Sequence, residues 1–370
     1  PVVAALAGAL ARRIEAAAPA PADAVPFGGQ RAAIARYRTI VAAGGWPVVP
    51  PGEPIEPGDR APELDRLRER LAATGDLPPA AGDGDTYDAA LVAAVERFQA
   101  RHGLAVDGVV GPATRRALNV PADERLAQLE RARAVVADLR PRRGERYVVV
   151  NVPAFELRYV EAGEVALRSA VVVGSVDNPT PVFADAIEYL VFNPYWHVPR
   201  RIAREELVFD FKEDPAAMAA RGFQLVDAGG AATDPTRVDW TVIEPASLPF
   251  RVRQGPGSAN ALGRVKFMFP NDHAVYLHDT PARHLFERPV RAFSHGCVRV
   301  AEPLALAERL LAAEGYGAEA IRDWVAADAT RRVALGRPVP VHLIYVTAWM
   351  ADGRVQFRQD LYDRRAAPAS

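Results

Sequence analysis

The hydrophobic periodicity of the chain changes at Arg146, and this change limits which folds it can adopt. Before Arg146, apolar residues recur at helical spacing, and Leu64, Leu67 and Leu71 fall on one helix face. After Arg146, the apolar runs have the composition of β-strands, and Tyr147 to Val152 is the first of them. Turn residues separate these runs. The sequence therefore predicts an α+β multidomain protein, with helices first and a mainly β domain after them.

The helical half divides into three predicted parts. A helix from Gln30 to Ala43 ends at two glycines, a tryptophan and a proline, because this sequence cannot continue a helix. A compact module of three short helices follows the linker around Pro50, and its third helix opens at Pro112. An amphipathic helix over 122–140 ends at Pro141. We predict the boundaries to be 1–58 for a helical scaffold segment, 59–120 for the module, 121–143 for a scaffold helix and 144–363 for the β-rich domain.

The β-rich half contains one connection that is too long to be simple. Predicted strands and helices are spread along it: Ile187 to Phe192, Val265 to Phe269, Ala274 to His278 and Val341 to Val346 as strands, and Pro303 to Glu314 and Ala318 to Ala327 as helices. Between these strands, a segment of about 194–256 holds a charged helical run. Long excursions of this kind are often lids, so we predict a helical capping insertion over one face of the sheet.

Composition excludes several classes of function. The formal net charge of -1 gives no electrostatic reason to expect nucleic acid or an anionic membrane as the main partner. No apolar run approaches the roughly 18 residues of a membrane span. No histidine pair has metal-ligand spacing with Cys or carboxylates, and there is no glycine-rich phosphate loop. We therefore predict no metal and no cofactor. Because the chain starts at Pro1, we expect that a signal peptide or anchor has been removed.

The only cysteine of the chain lies in a segment suited to nucleophilic catalysis, Ser294-His295-Gly296-Cys297-Val298-Arg299. A thiol is a useful nucleophile only as thiolate, and a nearby imidazole that takes its proton keeps an ion pair ready. The glycine allows close approach of a substrate, and backbone N–H groups of the turn can stabilise an acyl oxyanion. Arg299 offers a bidentate donor to a carboxylate or carbonyl.

Two histidines compete for the role of base. His278 lies 19 residues before the cysteine, at the end of a predicted strand. His295 is closer in sequence, and in an extended stretch residues 295 and 297 point the same way. A third possibility is that His278 is only a hydrogen-bonded histidine at a strand end. The residues alone leave this choice open.

Three segments together resemble the catalytic core of YkuD-type L,D-transpeptidases, most of all the YcbB-like branch: Gly263 to Asn271 (GRVKFMFPN), Tyr276 to Pro281 (YLHDTP) and Arg291 to Val300 (RAFSHGCVRV). The resemblance implies a mainly β catalytic domain. It implies that Cys297 is the nucleophile and that His278 is the base, oriented by the backbone carbonyl of Asp279. It also implies that Gly296 and Cys297 supply the oxyanion hole.

The same resemblance implies a set of residues that contact the donor peptide. Arg299 would hold this peptide, and Ser294, His295 and Tyr276 would line the same site. Tyr195 and Trp196 resemble the start of the family's capping subdomain. They would either contact the peptide stem or serve as an aromatic anchor that packs the lid onto the sheet.

The helical module over 59–120 resembles the type 1 peptidoglycan-binding domain. The residues that carry this resemblance are Phe98-Gln99, Gly103-Leu104, Asp107 to Val109 and Gly111 to Thr114. The alternative is a three-helix packing module without a ligand. The N-terminal part, with Tyr37 to Ile40, also resembles the scaffold region of YcbB-like proteins.

The resemblance implies peptidoglycan L,D-transpeptidation, with peptide stems as donor and acceptor. Cys297 would form a thioester with a tetrapeptide stem, D-Ala would leave, and a diaminopimelate amine would take the acyl group in a 3→3 cross-link. Two alternatives stay open: a hydrolase that uses the same nucleophile, such as an L,D-carboxypeptidase or an enzyme that releases wall-attached protein, and a non-enzymatic wall-binding scaffold. Other cell-wall synthases are expected as further partners, and the periplasm as the location.

Overall fold

A computed structural model gives the fold, and it describes residues 27–78, 84–137, 139 and 146–364. The chain forms two compact units. Unit 1 contains the chain up to Ala154, a short stretch at 160–166 and the chain from Ile344 onward. Unit 2 contains 155–159 and 167–343. The predicted stretch before Phe27 and the last residues after Arg364 lie outside the described residues.

Unit 1 is mainly helical, and local sequence sets several helix ends. Asp88 accepts a hydrogen bond from the Leu91 N–H and so caps one helix, and Gly103 ends that helix with a left-handed φ of +67°. Pro112 opens the next helix, where its missing N–H is not needed. The helices are α1 Gln30–Ala42, α2 Leu64–Ala73, α3 Ala89–His102, α4 Pro112–Leu118 and α5 Ala122–Ala137.

The described residues of unit 1 form two hydrophobic cores. One core lies within the three-helix module and includes Leu67, Leu91 and Phe98, all fully buried. The other joins α1 and α5 to residues of β1 and of a two-stranded hairpin, with Tyr37 and Trp349 among its buried members. The strands of this unit are β1 Tyr147–Asn151, β14 Ala348–Ala351 and β15 Arg354–Phe357.

Unit 2 is built on a mixed β-sheet in which the strand order is β11-β3-β12-β10-β9-β4-β13. The pairs β9–β10 and β4–β9 are antiparallel, whereas β10–β12 is parallel. Parallel neighbours need a long crossover, and the chain between them supplies it. The strands are β2 Glu156–Glu161, β3 Glu164–Gly174, β4 Phe183–Phe192, β9 Val265–Met268, β10 Leu277–His278, β11 Ala292–Ser294, β12 Val298–Val300 and β13 Arg331–Ile344.

The segment of about 194–256, here called the insertion, leaves the sheet after β4 and folds around its own apolar core, which includes Phe211, Leu225 and Trp240. Its helices include α6 Arg200–Ile202, a π-helical turn Ala203–Leu207, α7 Val208–Glu213 and α8 Pro215–Ala220. It also contains an antiparallel sheet in the order β5-β8-β6-β7, formed by Trp196–His197, Arg251–Gln254, Phe223–Val226 and Ala232–Thr233. The helices were predicted, and the sheet was not.

The predicted α+β fold class is confirmed, with helices before a mainly β second half. The helices predicted near the end of the sheet domain are present as α9 Pro303–Leu311 and α10 Ala318–Ala326. β13 begins at Arg331, ten residues before the predicted strand at Val341, and only Leu277 and His278 of the predicted Ala274 to His278 strand pair. The predicted domain boundaries stay a prediction, since the two compact units do not follow them one for one.

Candidate active site

Three adjacent strands of unit 2 bring the predicted catalytic segments together. Leu277 pairs with Val298 and with Phe267, and all three side chains are buried. Since side chains alternate along a strand, the neighbouring residues point to the opposite face. That face, here called the catalytic face, carries His278 and Arg299. Extending the same register by one residue places Cys297 beside Tyr276, whose carbonyl accepts a hydrogen bond from the Val298 N–H.

The turn before Cys297 has a conformation that requires glycine. Gly296 has a φ of +110°, which residues other than glycine rarely adopt. Two hydroxyl groups hold this turn. Ser294 Oγ donates to the Cys297 carbonyl oxygen at 2.5 Å, and Thr180 Oγ1 donates to the Gly296 carbonyl oxygen at 2.9 Å. Thr180 is fully buried and also accepts from the Gly174 N–H at 2.8 Å, so it ties the end of β3 to the turn.

The structure bears on two predictions about this turn. Ser294 is 3% exposed and its hydroxyl bridges the turn internally, so this arrangement does not support the prediction that Ser294 contacts substrate. The Gly296 N–H donates to Ser294 Oγ at 3.1 Å and is therefore not available to an oxyanion. Of the two predicted oxyanion donors, only the Cys297 N–H makes no hydrogen bond to a described residue.

The ring of His278 is buried and fixed by a backbone carbonyl. Its Nδ1 lies 2.5 Å from the Asp279 carbonyl oxygen, the contact that the resemblance implied. A carbonyl can only accept, so Nδ1 carries the proton and Nε2 keeps its lone pair. The Asp279 carboxylate holds the surrounding loop, because it accepts from the Arg264 N–H at 2.8 Å and lies 3.6 Å from the Arg283 guanidinium.

His295, the competing base, has a different environment. It is exposed, and its Nε2 lies 2.6 Å from the Glu206 Oε1 of the insertion. A second contact from the insertion joins the Arg201 guanidinium to the Asn178 side chain. Because a carboxylate occupies the His295 Nε2, this nitrogen is not free to take a proton from the thiol. The geometry favours His278 over His295 as the base.

Burial sets the protonation state of the resting site. Burial, followed by the charge of the neighbouring Arg299, lowers the pKa of His278 to about 3. Burial also raises the pKa of the Cys297 thiol, although hydrogen bonds from Tyr276 and the charges of Arg299 and Lys266 oppose this shift. Both groups are therefore neutral at rest near pH 7. These shifts favour a neutral thiol and a neutral imidazole over a preformed ion pair, because a poorly solvated site disfavours both charged forms.

Tyr276 directly contacts the nucleophile. Its side chain and its backbone both hydrogen bond to Cys297, and burial followed by the Cys297 charge raises the pKa of its phenol. The thiol also lies 3.9 Å from the Ala274 carbonyl oxygen. Tyr276 was predicted only as a residue that lines the donor site. In the structure its hydrogen bonds also favour the Cys297 thiolate.

The two aromatic residues at the start of the insertion separate into different environments. Trp196 packs against the insertion core, with its ring 6.2 Å from that of Phe223. Tyr195 is exposed, and the Arg253 guanidinium lies 5.2 Å from its ring centroid. This arrangement favours the anchor interpretation for Trp196. Substrate contact stays a prediction for Tyr195.

Three residues of the site were missed in the sequence. Thr180 and Glu206 lie in segments without a catalytic motif. Only their tertiary contacts to the Cys297 turn show that they belong to the site. Lys266 lay within a recognised motif but was given no role. A signal for it existed, because Lys212 and Lys266 are the only lysines among 45 basic residues.

The described part of the chain contains no group of three or more His, Cys, Asp or Glu residues that could hold a metal ion. None of the helices that these residues form is long and apolar enough to cross a membrane.

Comparison with protein families gives two matches. Residues 145–341 match the YkuD L,D-transpeptidase catalytic domain, and residues 60–118 match a family described as a predicted peptidoglycan-binding domain. The first match includes the whole catalytic face and the insertion. The second coincides with the three-helix module.

One curated relative is a predicted L,D-transpeptidase of Haemophilus influenzae, which is 38% identical over 215 residues. The match covers 58% of this chain and 44% of the relative, so this chain spans less than half of that protein. Solved L,D-transpeptidases from Xylanimonas cellulosilytica and Stackebrandtia nassauensis are 18% and 15% identical, with TM-scores of 0.25 and 0.28. Each alignment covers 80% of this chain, and 99% and 96% of the respective structures. These TM-scores are too low to bear on fold or function.

Proposed function

Because the chain belongs to the family defined by the YkuD L,D-transpeptidase catalytic domain, we propose that it is a cysteine-dependent peptidoglycan L,D-transpeptidase. The observation that carries this proposal is the tautomer of His278. Its Nδ1 proton is held by the Asp279 carbonyl, which leaves Nε2 as a base on the same sheet face as Cys297. A thiol and a neutral imidazole in this arrangement suit acyl transfer through a thioester.

The first half-reaction acylates the enzyme. Cys297 Sγ attacks the carbonyl carbon at the L-centre of diaminopimelate in a tetrapeptide stem, and His278 Nε2 takes the thiol proton. The Cys297 N–H faces the developing oxyanion, and Tyr276 stabilises the thiolate as the proton leaves. The C–N bond then breaks, and D-Ala departs as an amine after it receives the proton from His278.

The second half-reaction transfers the acyl group. The side-chain amine of diaminopimelate on another stem attacks the thioester carbonyl, His278 takes the amine proton, and Cys297 leaves as thiolate and is reprotonated. The product is a 3→3 cross-link. If water takes the place of the amine, the product is a tripeptide, so the same residues support hydrolysis. An insertion that excludes water favours the amine.

The match at 60–118 supports peptidoglycan as the partner of the three-helix module. With peptidoglycan as substrate, the protein acts outside the cytoplasm, and we propose the periplasm as its location. Cooperation with other cell-wall synthases and membership of the YcbB-like branch are part of the same proposal. The three-helix module either binds glycan or positions the catalytic domain, and both are compatible with the reaction.

The experiment is to incubate the full chain with purified disaccharide-tetrapeptide and to measure the products by mass. Dimers with loss of D-Ala support the cross-linking transpeptidase, and tripeptide alone supports the hydrolase. A Cys297→Ala variant is the matched control and should give neither product. If this variant kept full activity, or if the unchanged chain gave no product, the proposed reaction would be overturned.

A further inference from the structure

Two cations flank the base on the catalytic face. His278 pairs with Arg299 on β12 and with Lys266 on β9, so the three residues form one row across adjacent strands. The flanking positions along β9, Val265 and Phe267, are buried in the core. Alternation along the strand therefore places Lys266 on the same face as His278 and Arg299.

Neither cation has an anionic partner within the described part of the chain. The side chains of Lys266 and Arg299 make no ion pair or hydrogen bond there, and the Arg299 Nε is buried without a hydrogen-bond partner. The two acidic residues already placed around the site are engaged elsewhere, Glu206 with His295 and Asp279 with the Arg264 N–H and Arg283. A half-buried cation without a counter-charge is unfavourable unless a ligand supplies one.

Both cations act on the reacting atoms. The charges of Lys266 and Arg299 each favour the Cys297 thiolate, and in return the Cys297 charge favours the charged form of each. The Lys266 Nζ lies 5.7 Å from the ring centroid of Tyr276, the residue that contacts the Cys297 sulfur. A negative charge held by this pair of cations would therefore lie close to the thioester carbon.

We propose that Lys266 and Arg299 form a seat for a carboxylate of the donor stem, and that Lys266 is a specificity-determining residue of the transpeptidase. This inference rests on the proposed function. A donor tetrapeptide carries two carboxylates near the scissile bond, that of the leaving D-Ala and that of the D-centre of diaminopimelate. Either one supplies the missing negative charge, and the seat explains why two unpaired cations flank a neutral histidine.

The experiment measures how the full chain turns over three donor stems. They are the free acid, the stem amidated at the terminal D-Ala, and the stem amidated at the diaminopimelate D-centre. Amidation keeps the size but removes the charge. The variants are Lys266→Met, Lys266→Arg as the conservative replacement, and Lys212→Met as the control, since Lys212 is exposed on α7. The measurements are kcat and KM for each stem, together with alkylation of Cys297 by uncharged iodoacetamide.

With the unchanged chain, we expect amidation at the seated carboxylate to lower kcat/KM about tenfold or more, mainly through KM, because a charge-assisted contact is lost. Lys266→Met should lose a similar factor on the free acid and should no longer distinguish it from that amide. Lys266→Arg should restore most of the preference, and Lys212→Met should behave as the unchanged chain. Whichever amide shows the effect identifies the seated carboxylate.

Three results would overturn the seat. The first result is equal turnover of all three stems by the unchanged chain. This measurement uses no variant, so it does not depend on whether a variant folds. The second is a Lys266→Met variant that keeps the full preference for the free acid. The third is an equal loss in stem acylation and in iodoacetamide alkylation, which would make Lys266 only a stabiliser of the thiolate. If the unchanged chain turned over no stem, the proposed function would fall and this inference with it.

Discussion

Glu206 of the insertion and His295 of the catalytic turn are joined by a contact of 2.6 Å between Oε1 and Nε2. This contact links the insertion to the residue two positions before the nucleophile. It also engages the Nε2 of His295, so this nitrogen does not compete for the thiol proton. The insertion is therefore attached directly to the turn whose conformation presents Cys297.

Glu206→Ala should weaken this attachment without removing any reacting group. The pair is partly exposed, so its contribution is about 1 kcal/mol or less, and we expect acylation by the donor stem to fall about fivefold or less. The ratio of hydrolysis to cross-linking should rise as water gains access. The control is Glu205→Ala, which removes an adjacent exposed acid paired with Arg201 at 3.4 Å. Equal effects of the two variants would contradict a specific role for Glu206.

The assignment of the base predicts an order between two histidine variants. His278→Ala should lower the acylation rate about 100- to 10,000-fold, the usual contribution of a general base. We expect His295→Ala to lower it far less, because the Nε2 of His295 is engaged by Glu206. Single-turnover acylation followed by intact mass measures both rates. The reverse order would transfer the role of base to His295.

The sequence predicted the parts of the site that local motifs carry. The motifs and the resemblance singled out Cys297, His278 and Arg299, and the register of β10 with β12, which was not predicted, places them on one sheet face. The contact between His278 Nδ1 and the Asp279 carbonyl is also local, since the partner is the next residue. The α+β order could be predicted because the hydrophobic period changes from helical to mainly β at Arg146.

The parts that the sequence did not predict depend on long-range packing. Thr180 and Gly296 are 116 residues apart, and Glu206 and His295 are 89 apart, so no local pattern joins them. Ser294 faces inward because the turn closes on it, and this direction cannot be read from an extended segment. The neutral state of Cys297 and His278 follows from burial, which depends on the whole unit.

Thr180→Val tests the support of the catalytic turn at nearly constant volume. The Gly174 N–H and the Gly296 carbonyl both lose this hydroxyl, and a buried polar group that loses its partner costs about 1–3 kcal/mol. We expect a lower unfolding free energy in urea and slower acylation, because the turn is held less firmly. The control is Thr241→Val, whose exposed hydroxyl donates to the Asp239 carboxylate at 2.6 Å. A Thr180 variant as stable and as active as the control would contradict this role.

The raised pKa of the Cys297 thiol predicts the pH dependence of its alkylation. The rate with iodoacetamide should still rise at about pH 8.5, where an ordinary thiol is half ionised, because burial disfavours the thiolate. Tyr276→Phe should move the curve to higher pH, since the lost hydrogen bond favours the thiolate. Intact mass at a series of pH values gives the rates, and Cys297→Ala, which should gain no mass, is the control. A plateau near neutral pH would show a preformed thiolate and contradict the neutral resting state.

The buried His278 predicts a loss of stability in acid. Its pKa falls from 6.5 to about 3 on folding, so between these values the unfolded chain binds the extra proton. The contribution is therefore complete above about pH 6.5 and decreases as the pH falls toward 3. For this one group, the unfolding free energy should be about 2 kcal/mol smaller at about pH 5 than at about pH 7.

Urea unfolding at both pH values gives this difference in unfolding free energy, and His278→Phe should reduce the difference. His284→Phe, at an exposed position, is the control. A part of the acid loss should survive in His278→Phe, because burial also lowers the pKa of His102. An unchanged difference in His278→Phe would mean that His278 is not held neutral by burial.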